Sequence, residues 1–177
     1  MSNYRRAYVK GGTWFFTVNL LQRHPNNLLT RNIDLLRETV KKVRAKYPFH
    51  IDAWVVLPDH IHCVWTLPSN DADFSTRWRF IKSGFSRSIP HTEYRSRVRI
   101  KNGERGIWQR HYWEHCIRDD LDYQKHVYYA HVNPLKHGYV QRVIDWPYST
   151  FHQYVAQGIY PANWCGDTKY RTKIVTY

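Results

Sequence analysis

A chain of 177 residues with 42% hydrophobic and 16% aromatic side chains can build one packed core, which excludes a disordered tail or a string of small modules. Lysine and arginine number 27 against 14 acidic residues, a formal charge of +13, so a polyanionic partner is expected and nucleic acid comes first. The three cysteines, Cys63, Cys116 and Cys165, are too scattered for a disulfide framework or zinc ribbon, and no apolar run reaches the length of a membrane span, so a bacterial cytoplasmic protein without membrane contact is expected.

In chain order, a basic lead-in with Arg5 and Arg6 passes through Gly11-Gly12 into residues 13–20, whose β-branched and aromatic content predicts a strand. Ile33, Leu36, Val40 and Val43 recur at helical spacing and predict an amphipathic helix ending before Pro48. Residues 51–57 and 60–67 are two apolar strands joined by Pro58-Asp59, a tight hairpin. Phe74, Trp78, Ile81, Phe85 and Ile89 then mark a second helix, capped by Asp71 or Asp73 and closed by Pro90, with Arg77, Arg79, Lys82 and Arg87 on its other faces.

Residues 91–105 carry Arg95, Arg97, Arg99, Lys101 and Arg105 around Asn102-Gly103, and predict a loop or hairpin reaching for a phosphate backbone. A strand over 107–118 follows, and Asp119-Asp120 caps a helix that runs to about Asn133, where Pro134 should stop it. The order strand, helix, strand, strand, helix, strand, helix is the ferredoxin-like split βαβ pattern of an α+β fold: an antiparallel sheet with helices packed on it and the hairpin strands central or close to it. One domain is expected over 1–155, with 156–177 as an extension of it.

His60 and His62 stand one residue apart on the predicted hairpin strand, so both rings face one side while Ile61 faces a core. At about 100° per residue the helix over 121–133 places Tyr123 with Val127 and Ala130, and Tyr128 with Leu121 and Val132, both packing stripes. Tyr129 falls instead with Asp122, His126 and Asn133. A divalent ion held by His60, His62 and the Asn133 oxygen would polarise a phosphate for attack by Tyr129, with His126 in support. A competing pattern, His111-x-x-Glu114-His115, has the spacing of an inverted zinc-peptidase motif, but strand alternation puts Glu114 on the face opposite both histidines.

The residues Tyr-Arg-Arg at 4–6, Gly-Gly-Thr-Trp-Phe-Phe-Thr-Val-Asn-Leu at 11–20, Ala-Trp-Val-Val-Leu-Pro-Asp-His-Ile-His-Cys-Val-Trp at 53–65, Trp-Glu-His at 113–115 and Tyr-Tyr-Ala-His-Val-Asn-Pro-Leu-Lys-His-Gly at 128–138 resemble the HUH single-tyrosine transposases, above all their REP-associated branch. The resemblance implies an HUH nuclease fold and cleavage of single-stranded DNA at short palindromic hairpins through a 5′-phosphotyrosine on Tyr129. It further implies Mg2+ or Mn2+ at His60 and His62, with Asn133 where insertion-sequence relatives carry Gln, and action as a monomer. Arg5, Arg6, Arg77, Lys82, Arg95, Arg97, Arg99, Lys101 and Lys136 are the expected DNA contacts. The alternative is a domesticated hairpin DNA- or RNA-binding protein without turnover; against an RNA-recognition motif, the strand at 60–65 lacks the basic-Gly-aromatic signature.

Overall fold

Strand β1 (Thr13–Asn19) turns Trp14, Phe16 and Val18 to one side and Phe15, Thr17 and Asn19 to the other, and this alternation sorts the whole molecule. In the computed structural model, which describes residues 8–166, β1 pairs with β3 (His60–Thr66) and with β4 (Trp113–Cys116), and β3 pairs with β2 (His50–Val56). The sheet order is β2-β3-β1-β4 with every neighbour antiparallel, so β3 is central as expected and β2 lies at an edge. That edge is shielded: Val56 N donates to Tyr148 O and Thr150 N to Trp54 O, both at 2.9 Å. Register sets Thr17 opposite His62 and Asn19 opposite His60, on one sheet face.

After a short α1 (Leu28–Arg31), helices α2 (Ile33–Lys46) and α3 (Phe74–Ser88) cover one face of the sheet. Leu36, Val40 and Val43 meet Trp78, Ile81 and Phe85 over Trp14, Phe16, Ile61 and Trp65, and Trp65 stacks on Trp78 at 4.5 Å between ring centroids. Of the two aspartates expected to cap α3, Asp73 does so, accepting from Thr76 N at 2.9 Å. Helix α5 (Asp120–Lys136), capped by Asp119, covers the other face through Val127 and Ala130 against Phe15, Val55 and Val64. On its far side Tyr128 and Val132 pack with Val143 of a 3-10 turn (Val143–Asp145), Phe151 of α6 (Phe151–Ala156), Tyr160 and Trp164. Tyr160 and Trp164, beyond residue 155, thus pack against the body of the domain.

Three expectations are corrected. Pro134 does not stop α5, because in a last turn the missing N–H removes a single bond, and the final carbonyls are taken by His137 N to Asn133 O, Gly138 N to Leu135 O and Tyr139 N to Pro134 O, each at 3.0 Å. Gly138 provides the left-handed turn with φ +73°. Asn133 and Lys136 are therefore helical, on the same rod as Tyr129. The strand over 107–118 is interrupted, leaving only Trp113–Cys116 paired with β1 beyond an isolated bridge at Trp108. The 91–105 segment is no hairpin: it holds α4 (Arg97–Lys101), and Arg105 pins it to α3 by bonding Glu93 and the carbonyls of Ser86, Ile89 and Pro90. The Arg105 bond pulls the Glu93 carboxyl down to about 2.

Among the described residues no helix is long and apolar enough to cross a membrane.

Candidate metal and nucleophile site

Because β3 is central and α5 roofs it, His60 and His62 are buried, each 3% exposed, with ring centroids 4.8 Å apart and planes at 87°. Each ring has its Nδ1 engaged from behind. His60 Nδ1 lies 2.6 Å from Asp59 Oδ1, and the other Asp59 oxygen accepts from Arg23 Nε at 2.8 Å. His62 Nδ1 lies 3.0 Å from Thr17 Oγ1. A metal-binding histidine is typically held this way, with its second nitrogen turned to the ion. Burial first, then the neighbouring His60 and His137, hold the His62 pKa well below the usual histidine value, so it is a neutral donor. Burial pushes the Asp59 carboxyl up, but the bonds from His60 and Arg23 outweigh it and keep the group ionised.

Asn133 supplies the test of whether this donor set suits a cation. It is fully buried, and neither its Oδ1 nor its Nδ2 has a hydrogen-bond partner, although the amide lies near enough to His62 to favour the protonated ring slightly. A buried amide left unsatisfied costs about 1–3 kcal/mol, which a cation on its oxygen would offset. Two imidazoles and an amide oxygen are a reasonable set for a divalent ion. His137, the C-cap of α5, adds a third ring 5.4 Å from His60.

Of the three tyrosines on α5, only Tyr129 is brought to the histidines: its ring is 5.1 Å from His62 at 74°, and Lys136 Nζ lies 5.3 Å from the ring centroid. Tyr123 donates to Asp52 Oδ1 at 3.2 Å, and burial pushes its phenol pKa far up; Tyr128 packs on Trp164 at 5.1 Å. His126 sits one ring away, 4.9 Å from Phe15, which is itself 5.8 Å from His62. It belongs to a separate group, His115, Asp122 and His126, whose ligand atoms all lie within 4.8 Å of one another.

The expected DNA contacts divide. Arg5 and Arg6 lie outside the described residues. Arg77 is 1% exposed, and its guanidinium donates to Asp73 O, Pro48 O and Asp71 Oδ2 at 2.6–2.7 Å; it ties α3 to the end of α2 and cannot meet a phosphate, which corrects that assignment. The Lys82 ammonium is bonded to Gln109 O at 2.7 Å. Arg97 and Lys101 on α4 and Lys136 on α5 are exposed, whereas Arg95 and Arg99 are half-buried. Sequence reasoning missed Asp59, Arg23, Thr17 and His137. Asp59 had a signal in its adjacency to His60, and Thr17 one only through strand register.

A ferredoxin-like antiparallel sheet whose central strand presents paired histidines to a helix tyrosine is an HUH-type fold. No protein-family model matches the chain. Among curated proteins it matches the REP-associated tyrosine transposase of Escherichia coli K12, 52% identical over 167 residues that cover 94% of this chain and 93% of that one. It also matches a Haemophilus influenzae protein named for the same family, 45% identical over 174 residues and 98% of both chains. A solved structure of a REP-associated tyrosine transposase bound to a REP hairpin covers 99% of this chain and all of its own, with 48% identity and a TM-score of 0.81. The chain belongs to the REP-associated tyrosine transposases.

Proposed function

We propose that this transposase cleaves single-stranded DNA beside short palindromic, REP-like hairpins, with Tyr129 as nucleophile and His60, His62 and Asn133 as ligands of Mg2+ or Mn2+. The observation that carries the reading is the convergence of Tyr129 on two histidines whose Nδ1 atoms are already engaged, under an amide with no partner. The hairpin is taken from the relative solved with one. When bound, the ion would neutralise phosphate charge and orient the phosphate. The Tyr129 oxygen forms the bond to phosphorus, the bond from phosphorus to the 3′ oxygen breaks, and the phenol proton leaves as the 3′ oxygen takes one up. A 5′-phosphotyrosine and a free 3′-OH result. Asp59 and Thr17 hold the imidazoles in place, and Lys136 lies over the tyrosine ring with its charge near the phosphate path. Arg95, Arg97, Arg99 and Lys101 would contact phosphates beyond the site. All the catalytic groups come from one chain, which supports action as a monomer.

The test is incubation of the full chain with REP-type hairpin oligonucleotides carrying a single-stranded flank, with Mn2+ or with a chelator. A protein–DNA adduct that survives denaturing electrophoresis in Mn2+ and is absent with the chelator is expected. Tight hairpin binding with no adduct under either condition would mean a binder without turnover.

A further inference from the structure

The group formed by His115 on β4 and by Asp122 and His126 on α5 takes no part in the proposed cleavage. We propose that these three residues form a second divalent-metal site, suited to a borderline first-row ion such as Zn2+ and separate from the site at His60 and His62. Asp122 and His126 are four residues apart and share one face of α5, while His115 reaches them from the strand. His115 Nε2 is 2.8 Å from Asp122 Oδ2, and the two imidazole centroids are 4.6 Å apart; His126 Nδ1 lies 3.3 Å from Asp122 Oδ1 and donates to the Asp122 carbonyl oxygen at 2.8 Å. A tetrahedral ion with ligands at about 2.0–2.1 Å needs its donors roughly 3.3 Å from one another, so the site closes if His126 keeps its Nδ1 bond to the Asp122 carbonyl and turns Nε2 to the ion, or exchanges that bond for the ion. Two imidazoles and one carboxylate are the donor set of a zinc-type ion, whereas Mg2+ prefers oxygen.

The protonation states of Asp122 and His126 suit an ion. Burial raises the Asp122 carboxyl, but the His115 bond and those from Arg118 bring it down to about 2, so it is an anion at neutral pH. Burial also lowers the His126 pKa, leaving the imidazole neutral. The cation now nearest the carboxylate is Arg118, whose Nε lies 3.3 Å from Asp122 Oδ2 on a side chain 74% exposed. It can swing into solvent when an ion takes its place. His115 and His126 side chains remain 25% and 19% exposed, which leaves an entry path and room for a water as fourth ligand. The ion would clamp β4 to the first turns of α5, one turn ahead of Tyr129.

The experiment uses the full chain, stripped with a chelator and dialysed against Zn2+, then analysed for metal per chain. The comparison is between a His60→Ala/His62→Ala double variant and a His115→Gln/His126→Gln double variant, in which glutamine can keep hydrogen bonds to Asp122. The first is expected to retain one Zn2+ per chain, with His115 and His126 ring resonances shifting on its addition. The second is expected to lose one Zn2+ relative to the parent while its circular dichroism is unchanged. Should the glutamine variant fail to fold, the His60→Ala/His62→Ala chain decides alone. No Zn2+ retained there, or no change at His115 and His126, would overturn the proposal and leave the group a hydrogen-bonded latch. This result is independent of whether the protein cleaves DNA.

Discussion

The two faces of β3 are equally buried for opposite reasons. Ile61, Cys63 and Trp65 are each fully buried on the side of α2 and α3, within a cluster where Trp54, Trp65 and Trp78 lie nearly parallel. His60 and His62 are buried on the side of α5, where each ring needs a partner behind it and Asn133 has none. Apolar burial stabilises the first face, while the second holds desolvated polar groups at a cost in stability, as functional sites do. One strand thus separates an aromatic core from a buried polar cluster.

The largest expected effect on stability lies on the apolar face. Trp65→Ala should cost about 3–5 kcal/mol, because it opens a cavity against Trp78 and Phe49. His62→Ala should cost no more than about 1.5 kcal/mol, since it deletes one bond to Thr17 and relieves a buried imidazole, yet it should abolish metal binding at that site. Urea unfolding of both variants, with Mn2+ titration of the second, checks the contrast. Equal losses from the two substitutions would erase the distinction between the faces.

A smaller effect sharpens the comparison on the far side of α5. His131 is fully buried, bonded to Thr150 Oγ1 at 3.0 Å, with its Nδ1 unpartnered, and burial lowers its pKa to about 3. Below about pH 6.5 the unfolded chain binds a proton there that the folded chain refuses. Its contribution is therefore complete above pH 6.5 and is lost as pH falls toward 3, by at most about 1.4 kcal/mol per unit. His131→Gln should flatten the stability profile between about pH 6.5 and 5.5, above the ordinary carboxylate range. A slope unchanged in urea melts across that window would mean that His131 is not held neutral by the fold.

What was legible in the sequence was whatever depended on local period. Strand alternation placed His60 and His62 on one face, and the helical stripe separated Tyr129 from Tyr123 and Tyr128. Charge was less readable. Arg77 and Arg105 look like phosphate ligands in a basic stretch, but their guanidinium groups meet backbone carbonyls that only tertiary folding supplies. The end of α5 was misjudged because the cost of a proline depends on how many turns follow it. His115 and Asp122 meet across a strand-to-helix junction, a contact for which no local period exists. Thr17 reaches His62 through antiparallel register, which depends on how the strands order themselves.

The most direct test of the central claim is adduct formation by Tyr129→Phe and Tyr128→Phe on the same hairpin substrate with Mn2+, read on denaturing gels beside a binding titration. Tyr129→Phe should bind the hairpin within about twofold of the parent, since the ring and basic surface remain, and should form no covalent adduct, because the bond-forming oxygen is gone. Tyr128→Phe, altered in the cluster around Trp164, should still form it. An adduct that persists in Tyr129→Phe and vanishes in Tyr128→Phe would contradict the assignment of the nucleophile.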